Sequence, residues 1–250
     1  MGNTAFQQFS MGNGDEGIAE GGKSKRWKGE TGHTYRFSLL WFPGLEEGKL
    51  ELGTETAPTA PKFIGAPINY IPGVGFVVNN GPEITKLANN EPPKTKVATV
   101  IVSWPLKKDG SPDGGRIQSG DSEIASFVIS GDKYKTLVGT NREFPFAWHD
   151  LTVKCDDAQY QKLTFTPCRE SLLQKFMGKG DAFKDVLANI FAEGAAVAAN
   201  IQNDLGRVMT VEQIRAKLTG ASTTPTGGAA GSPVASTTEN IDNLVDDLLS

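Results

Sequence analysis

The chain has 250 residues, 38% of them hydrophobic and 22% charged, an ordinary globular composition with room for one substantial domain plus appendages. Its net charge is −4, and the four carboxylates of residues 239–250 account for all of it, which leaves 25 bases against 25 acids elsewhere and excludes a uniformly basic duplex-coating protein. No apolar run approaches the roughly 20 residues of a membrane span, and no basic n-region precedes an apolar stretch at the start, so a cytoplasmic protein is expected.

Residues 1–22 are rich in Gly, Asn, Gln and Ser, with Phe6, Phe9 and Met11 as isolated apolar points, and read as a flexible N-terminal arm. Gly2 is followed by Phe6 where a myristoylation signal needs Ser or Thr. The charge then changes sign: Lys23, Lys25, Arg26, Lys28 and Arg36 face only Glu30, with Trp27 and Tyr35 among them. Bases interleaved with aromatics suit unpaired nucleic acid, because cations follow phosphates while ring faces stack on bases of any identity. A strand edge guarded by lysines, with Trp27 tucked against a core, explains the same residues. Gly17-Ile-Ala-Glu-Gly-Gly-Lys-Ser24 satisfies the Walker A pattern, but neither an apolar strand before it nor a helix after it is written in the sequence, so no phosphate cradle is expected.

From Thr34 the pattern turns to β. Runs at 34–41, 63–71, 76–78, 97–104, 124–130, 151–155 and 160–166 are short, rich in β-branched and aromatic residues, and bounded by Gly, Pro, Asn or Asp. Such punctuation predicts a barrel or sandwich. Pro67 and Pro72 demote the second run to an edge or irregular strand, and Pro72-Gly-Val-Gly75 predicts a tight turn. Residues 107–115 read as a solvent loop, and Asp132 as the cap of a short helix turning Tyr134, Leu137 and Val138 inward.

After Pro167 the apolar period becomes helical. Leu172, Leu173 and Phe176, then Phe183, Val186, Leu187, Ile190 and Phe191, predict two amphipathic helices broken near Gly178 and Gly180. Thr210-Val-Glu-Gln213 has the form of a capping box before a last helix carrying Val211, Ile214 and Leu218. Residues 219–238 are uncharged and rich in Ser, Thr, Gly, Ala and Pro, the composition of a flexible linker. It leads to an acidic-apolar tail, 239–250, in which Asp242, Asp246 and Asp247 alternate with Leu244, Leu248 and Leu249. A merely solubilising terminus would not need those leucines, so the tail reads as presented to a partner. Cys155 and Cys168 form no C-x-x-C and, with His33 and His149, no zinc set, so both are read as reduced packing residues. His149-Asp150 has no nucleophile elbow beside it and reads as a turn.

Several stretches carry a likeness in a consistent order: Arg26-Trp-Lys; Tyr35-Arg-Phe-Ser-Leu-Leu-Trp-Phe-Pro43; Ala60-Pro-Lys-Phe-Ile-Gly; Val97-Ala-Thr-Val-Ile-Val102 with its polar loop, strand and helix; Asp150-Leu-Thr-Val-Lys; Tyr160-Gln-Lys-Leu-Thr-Phe; and Asp246-Asp-Leu-Leu. In these the chain resembles the single-stranded DNA-binding (helix-destabilising) proteins of tailed bacteriophages. The best-known members hold a zinc through Cys and His; nothing between Ile64 and Asn90 can do so, and a zinc-less form is expected. An aromatic strand position of the family is also replaced, by Val97.

The resemblance implies an α+β fold, mainly β with an α elaboration. An oligonucleotide-binding (OB) barrel at 23–168 would be followed by helices at 169–218, the linker and the tail. It also implies a noncatalytic, cofactor-free protein that coats unwound DNA in replication, recombination and repair, in the cytoplasm of an infected bacterial host. Candidate phosphate contacts are Lys23, Lys25, Arg26, Lys28, Arg36, Lys94, Lys96, Lys107 and Lys108. Candidate stacking rings are Trp27, Tyr35, Tyr70, Phe76, Trp104 and Tyr134; Phe76 and Trp104 follow apolar strand residues, which favours burial for both. In the tail, Asp242, Leu244, Asp246, Asp247, Leu248 and Leu249 are expected to recruit replication or recombination proteins and to compete for the DNA groove. Self-association along DNA, through the N-terminal arm, is a further expectation. The alternative is a noncatalytic phage structural or assembly protein with a β domain.

Overall fold

The computed structural model describes residues 25–157 and 162–220. Strands β1 (Thr34–Leu39), β2 (Gly53–Thr54), β3 (Ala57–Pro58), β4 (Ile64–Ile71) and β5 (Gly75–Val78) precede helix α1 (Pro82–Leu87). The long strand β6 (Lys94–Trp104), helix α2 (Gly114–Gln118), β7 (Glu123–Ser130), α3 (Gly131–Glu143), β8 (Leu151–Cys155) and β9 (Leu163–Pro167) follow. The last third is helical: α4 (Leu172–Met177), α5 (Lys184–Asn200), the single turn α6 (Gln202–Leu205) and α7 (Val211–Thr219). The fold is therefore α+β, a mainly antiparallel sheet with helices.

The described chain divides into two compact units. The larger takes residues 25–63, 97–157 and 162–204; the smaller takes 64–96 and 205–220. This partition is nested and differs from the linear split expected at residue 168.

In the larger unit β1 is central. It pairs antiparallel with β6, Arg36 opposite Trp104 through Leu39 opposite Ile101, and with β8, Thr34 opposite Lys154 through Phe37 opposite Leu151. β9 pairs with β8 and β7 with β6. The sheet does not close, because β9 ends it with β8 as its only strand partner among the described residues; the expected closed barrel is corrected to an open sheet. Residues 97–104 of β6 are buried without alternation, as in strands covered on both faces. Helix α5 packs on β7 and on the short turn Leu45–Glu47 through Leu187, Ile190, Gly194, Val197 and Ala198, one stripe at helical spacing. Gly194 allows that approach: a Cβ there would lie 2.5 Å from Leu40 Cδ2. Helix α3 runs five residues further than the spacing predicts, with Ser130 rather than Asp132 at its N-cap. Of its predicted inward residues, Leu137 is buried while Tyr134 and Val138 are half-buried.

The smaller unit is built on the β4–β5 hairpin, Ile68 opposite Val78 through Ile71 opposite Gly75. Its tip is the turn predicted at Pro72-Gly73: Val74 N donates to Ile71 O at 3.0 Å, and Gly73 has φ 81°, which Gly adopts without strain. β4 runs unbroken through Pro67, whose carbonyl accepts from Asn79 N at 2.7 Å, so the proline does not make the strand irregular. From far along the chain Arg207 joins β5 in parallel, donating its N–H to Phe76 O and accepting from Val78 N, both at 2.9 Å. Ile71, Val74, Val77, Ile84, Ala88, Met209 and Ile214 form the core beneath, with Leu87 and Val211 at its edge. The capping box at Thr210 forms in full, Gln213 N donating to Thr210 Oγ1 at 3.2 Å and Thr210 N to Gln213 Oε1 at 2.9 Å.

Candidate nucleic-acid interface

The hairpin β4–β5 alternates strictly at its outer end. Ile71 and Val77 turn into the core, so their neighbours Tyr70 and Phe76, directly opposite one another, emerge on the other face. They are 56% and 46% exposed, the most exposed Phe, Tyr or Trp residues among those described, with centroids 5.3 Å apart at 62°. The start of β6 brings cations to them. Lys96 Nζ lies 3.3 Å from the Phe76 ring centroid, and Lys94, two residues earlier on the strand, shares its face and is exposed. Three of the sequence-predicted residues, Tyr70, Phe76 and Lys96, thus meet in the smaller unit, and a fourth, Lys94, lies on the same strand face.

Val208 joins this face and was not foreseen. Arg207 pairs with core-facing Val77, so its neighbours Gly206 and Val208 fall on the side of Phe76. Gly206 confirms that parity, since a Cβ on it would lie 3.0 Å from Ile68 Cδ1. Val208 is 40% exposed. No local pattern announces it, because the pairing of 205–209 with β5 joins segments about 130 residues apart.

The remaining candidates are placed otherwise. Trp27 is 4% exposed and packs edge-on against Phe37 at 4.9 Å, Tyr35 at 5.0 Å and Phe127 at 5.6 Å, so its expected role as a stacking platform is corrected to core packing. Two backbone bonds seat it, Trp27 N to Ser126 O and Ser126 N to Lys25 O. Trp104 is 2% exposed, donates Nε1–H to Ser38 Oγ at 2.7 Å and meets Phe176; it is buried, as its place after apolar strand residues favours, and is no stacking platform. Tyr35 is half-buried and its hydroxyl accepts from Glu30 N at 2.7 Å. Tyr134 is half-buried with its ring 5.0 Å from Phe63, and burial raises its phenol pKa.

Among the bases, Arg36 is committed to structure: Nε bonds the buried Asp150 at 2.8 Å and NH2 donates to Glu170 O at 2.9 Å. Lys25 pairs with Glu193 at 2.6 Å. Arg26 is half-buried, Lys28 is exposed, and Lys107 and Lys108 are exposed on the β6–α2 loop, where Gly110 N closes a turn on Lys107 O. Lys23 and the tail residues Asp242, Leu244, Asp246, Asp247, Leu248 and Leu249 lie outside the described residues, as do the Walker-like segment and the N-terminal arm. Cys155 is buried, Cys168 half-buried, and both are free thiols. Among the described residues no group of three or more His, Cys, Asp or Glu could hold a metal ion, and no helix is long and apolar enough to cross a membrane. No family model, no curated protein and no solved structure matches the chain.

Proposed function

We propose that the protein binds unpaired DNA without catalysis, coating and protecting it during phage replication, recombination and repair. The observation that carries this reading is the exposed Tyr70–Phe76 pair with Lys94 and Lys96 on its face. Open aromatic rings rimmed by ammonium groups stack on bases of any identity while neutralising phosphate, the chemistry of sequence-tolerant single-strand binding. Coupling to the single strand alone favours melted over paired DNA by mass action. The OB-like reading of the fold belongs to this proposal and rests on the sequence resemblance, the sheet itself being open. So does the role of residues 239–250, which would recruit replication proteins and compete for the cationic surface at millimolar effective concentration.

The test is fluorescence anisotropy of dye-labelled oligo-dT at two salt concentrations, with duplex DNA as competitor. Tryptophan quenching is a poor readout, because Trp27, Trp41 and Trp104 are buried and Trp148 half-buried. Salt-sensitive binding that duplex fails to compete supports the reading, and Tyr70→Ala should weaken it by about 1–3 kcal/mol. Deleting residues 239–250 should tighten it. Absence of binding at low salt would leave the assembly-protein alternative.

A further inference from the structure

The two exposed rings are not equivalent. One face of Phe76 is already occupied: the Lys96 ammonium sits 3.3 Å from its centroid, within the range of a strong cation–π contact. No such cation lies over Tyr70 among the described residues, and Tyr70 is the more exposed of the pair. A base stacking on the covered face of Phe76 would first have to expel the lysine. A base stacking on the exposed part of Tyr70 has no such ammonium to expel.

Resting on the DNA-binding reading, we infer that the rings divide the work: Tyr70 is the stacking platform for one base, while Phe76 is a positioning residue that holds Lys96 as a phosphate clamp beside it. The geometry supports both halves. Tyr70 and Phe76 stand opposite each other across the hairpin with ring centroids 5.3 Å apart, so an ammonium fixed over Phe76 lies to the side of the platform. That offset suits a phosphate flanking a base stacked on Tyr70. A lysine free to sample its rotamers would have to be ordered on binding; one held on a ring is ordered beforehand.

The experiment uses the full chain and measures oligo-dT affinity across a salt series for Tyr70→Leu, Phe76→Leu, Lys96→Gln and the double variant Phe76→Leu/Lys96→Gln. Both leucines keep an apolar side chain on the hairpin, and thermal unfolding confirms that each variant is folded. Tyr70→Leu should lose about tenfold in affinity with an unchanged salt slope, the signature of a lost stacking contact. Lys96→Gln should lower the slope by about 0.7, one phosphate on a single strand. Phe76→Leu should also lower the slope, and the double variant should lose no more than Lys96→Gln alone. If Phe76→Leu instead loses affinity at constant slope, as Tyr70→Leu does, or if its loss adds to that of Lys96→Gln, the division of labour is wrong. Failure of the wild type to bind oligo-dT would instead overturn the reading on which this inference rests.

Discussion

Asp150 shows how much of the larger unit hangs on one side chain whose partners no local pattern in the sequence announces. Its carboxylate has no exposed surface, yet it accepts from Arg36 Nε at 2.8 Å, Ser38 Oγ at 2.5 Å and Leu172 N at 3.0 Å, tying β1 and the start of α4 to the approach to β8. Ser38 in turn accepts from Trp104 Nε1, so the chain of bonds reaches β6. Burial raises the Asp150 pKa above its ordinary value, with the hydrogen bonds of Ser38 and Leu172 and the charge of Arg36 pulling the other way. Asp150→Ala would strand three donors, one of them a guanidinium, and should cost about 3–5 kcal/mol, read as a lower denaturant midpoint at neutral pH. The pH dependence has the opposite sign from usual acid unfolding. A folded-state pKa above the unfolded one means that stability from this group is complete below the unfolded value and declines as pH rises through the folded one. Relative to Asp150→Asn, the wild type should therefore gain stability as pH falls from 7 toward about 4; a constant difference would show that Asp150 stays ionised throughout. The same residue scale explains why the predicted rings sorted as they did. Trp27 and Trp104 have the aromatic character that stacking needs, but so does any core, and only tertiary partners decide. Phe76 went the other way because its neighbour Val77 took the inward position.

Elements were legible where their own period sufficed. The run 151–155 is β8 to the residue, and those at 34–41, 97–104 and 124–130 are strands with shifted ends. The capping box at Thr210 is local chemistry and formed as written. Helix α1 was missed because its six residues include few apolar ones and part of its anchor, Asn79, lies before the helix. Asn79, just before it, donates Nδ2–H to Asn69 Oδ1 at 2.6 Å and to Thr85 Oγ1 at 2.7 Å, while its Oδ1 accepts from Gly81 N at 2.9 Å. Asn69 continues the network to Glu91 O. This amide cluster fastens α1 to β4 and the following loop. Asn79→Ala should cost about 1–3 kcal/mol through the buried groups it leaves unpaired, and hydrogen exchange at Ile84 should accelerate ahead of that in β1. In α5, Gly194→Ala sets helix propensity, a gain of about 1 kcal/mol, against a Cβ 2.5 Å from Leu40 Cδ2. Overpacking costs about 1–3 kcal/mol, so the net change should be destabilising; a raised Tm would mean that Leu40 yields easily.

At the scale of the whole chain, what the sequence hid was connectivity between distant segments. Residues 64–96 read locally as part of one continuous β domain, and 205–220 as the end of a helical appendage, because each has the apolar pattern of its own element and neither names its partner. Yet Met209 and Ile214 complete a core otherwise made by Ile71, Val74, Val77, Ile84 and Ala88. Arg207 adds backbone pairing on β5 to that supplied by β4. A hairpin and one six-residue helix bury too little apolar surface to stand alone. The proposed DNA platform should therefore depend on residues far from it in sequence. A chain ending at residue 204 should lose the protection of the 64–96 segment, become cleavable there by dilute protease, and lose oligo-dT binding. A chain ending at residue 220 keeps Arg207, Met209 and Ile214 and should retain both properties, while lacking the carboxylates of 239–250 that the proposal sets against DNA. The two truncations separate the jobs that the last third of the chain combines. If the shorter one still binds oligo-dT as the longer does, the ring-bearing hairpin is not the site, and the bases of the larger unit, Lys28, Lys107 and Lys108, become the ones to test.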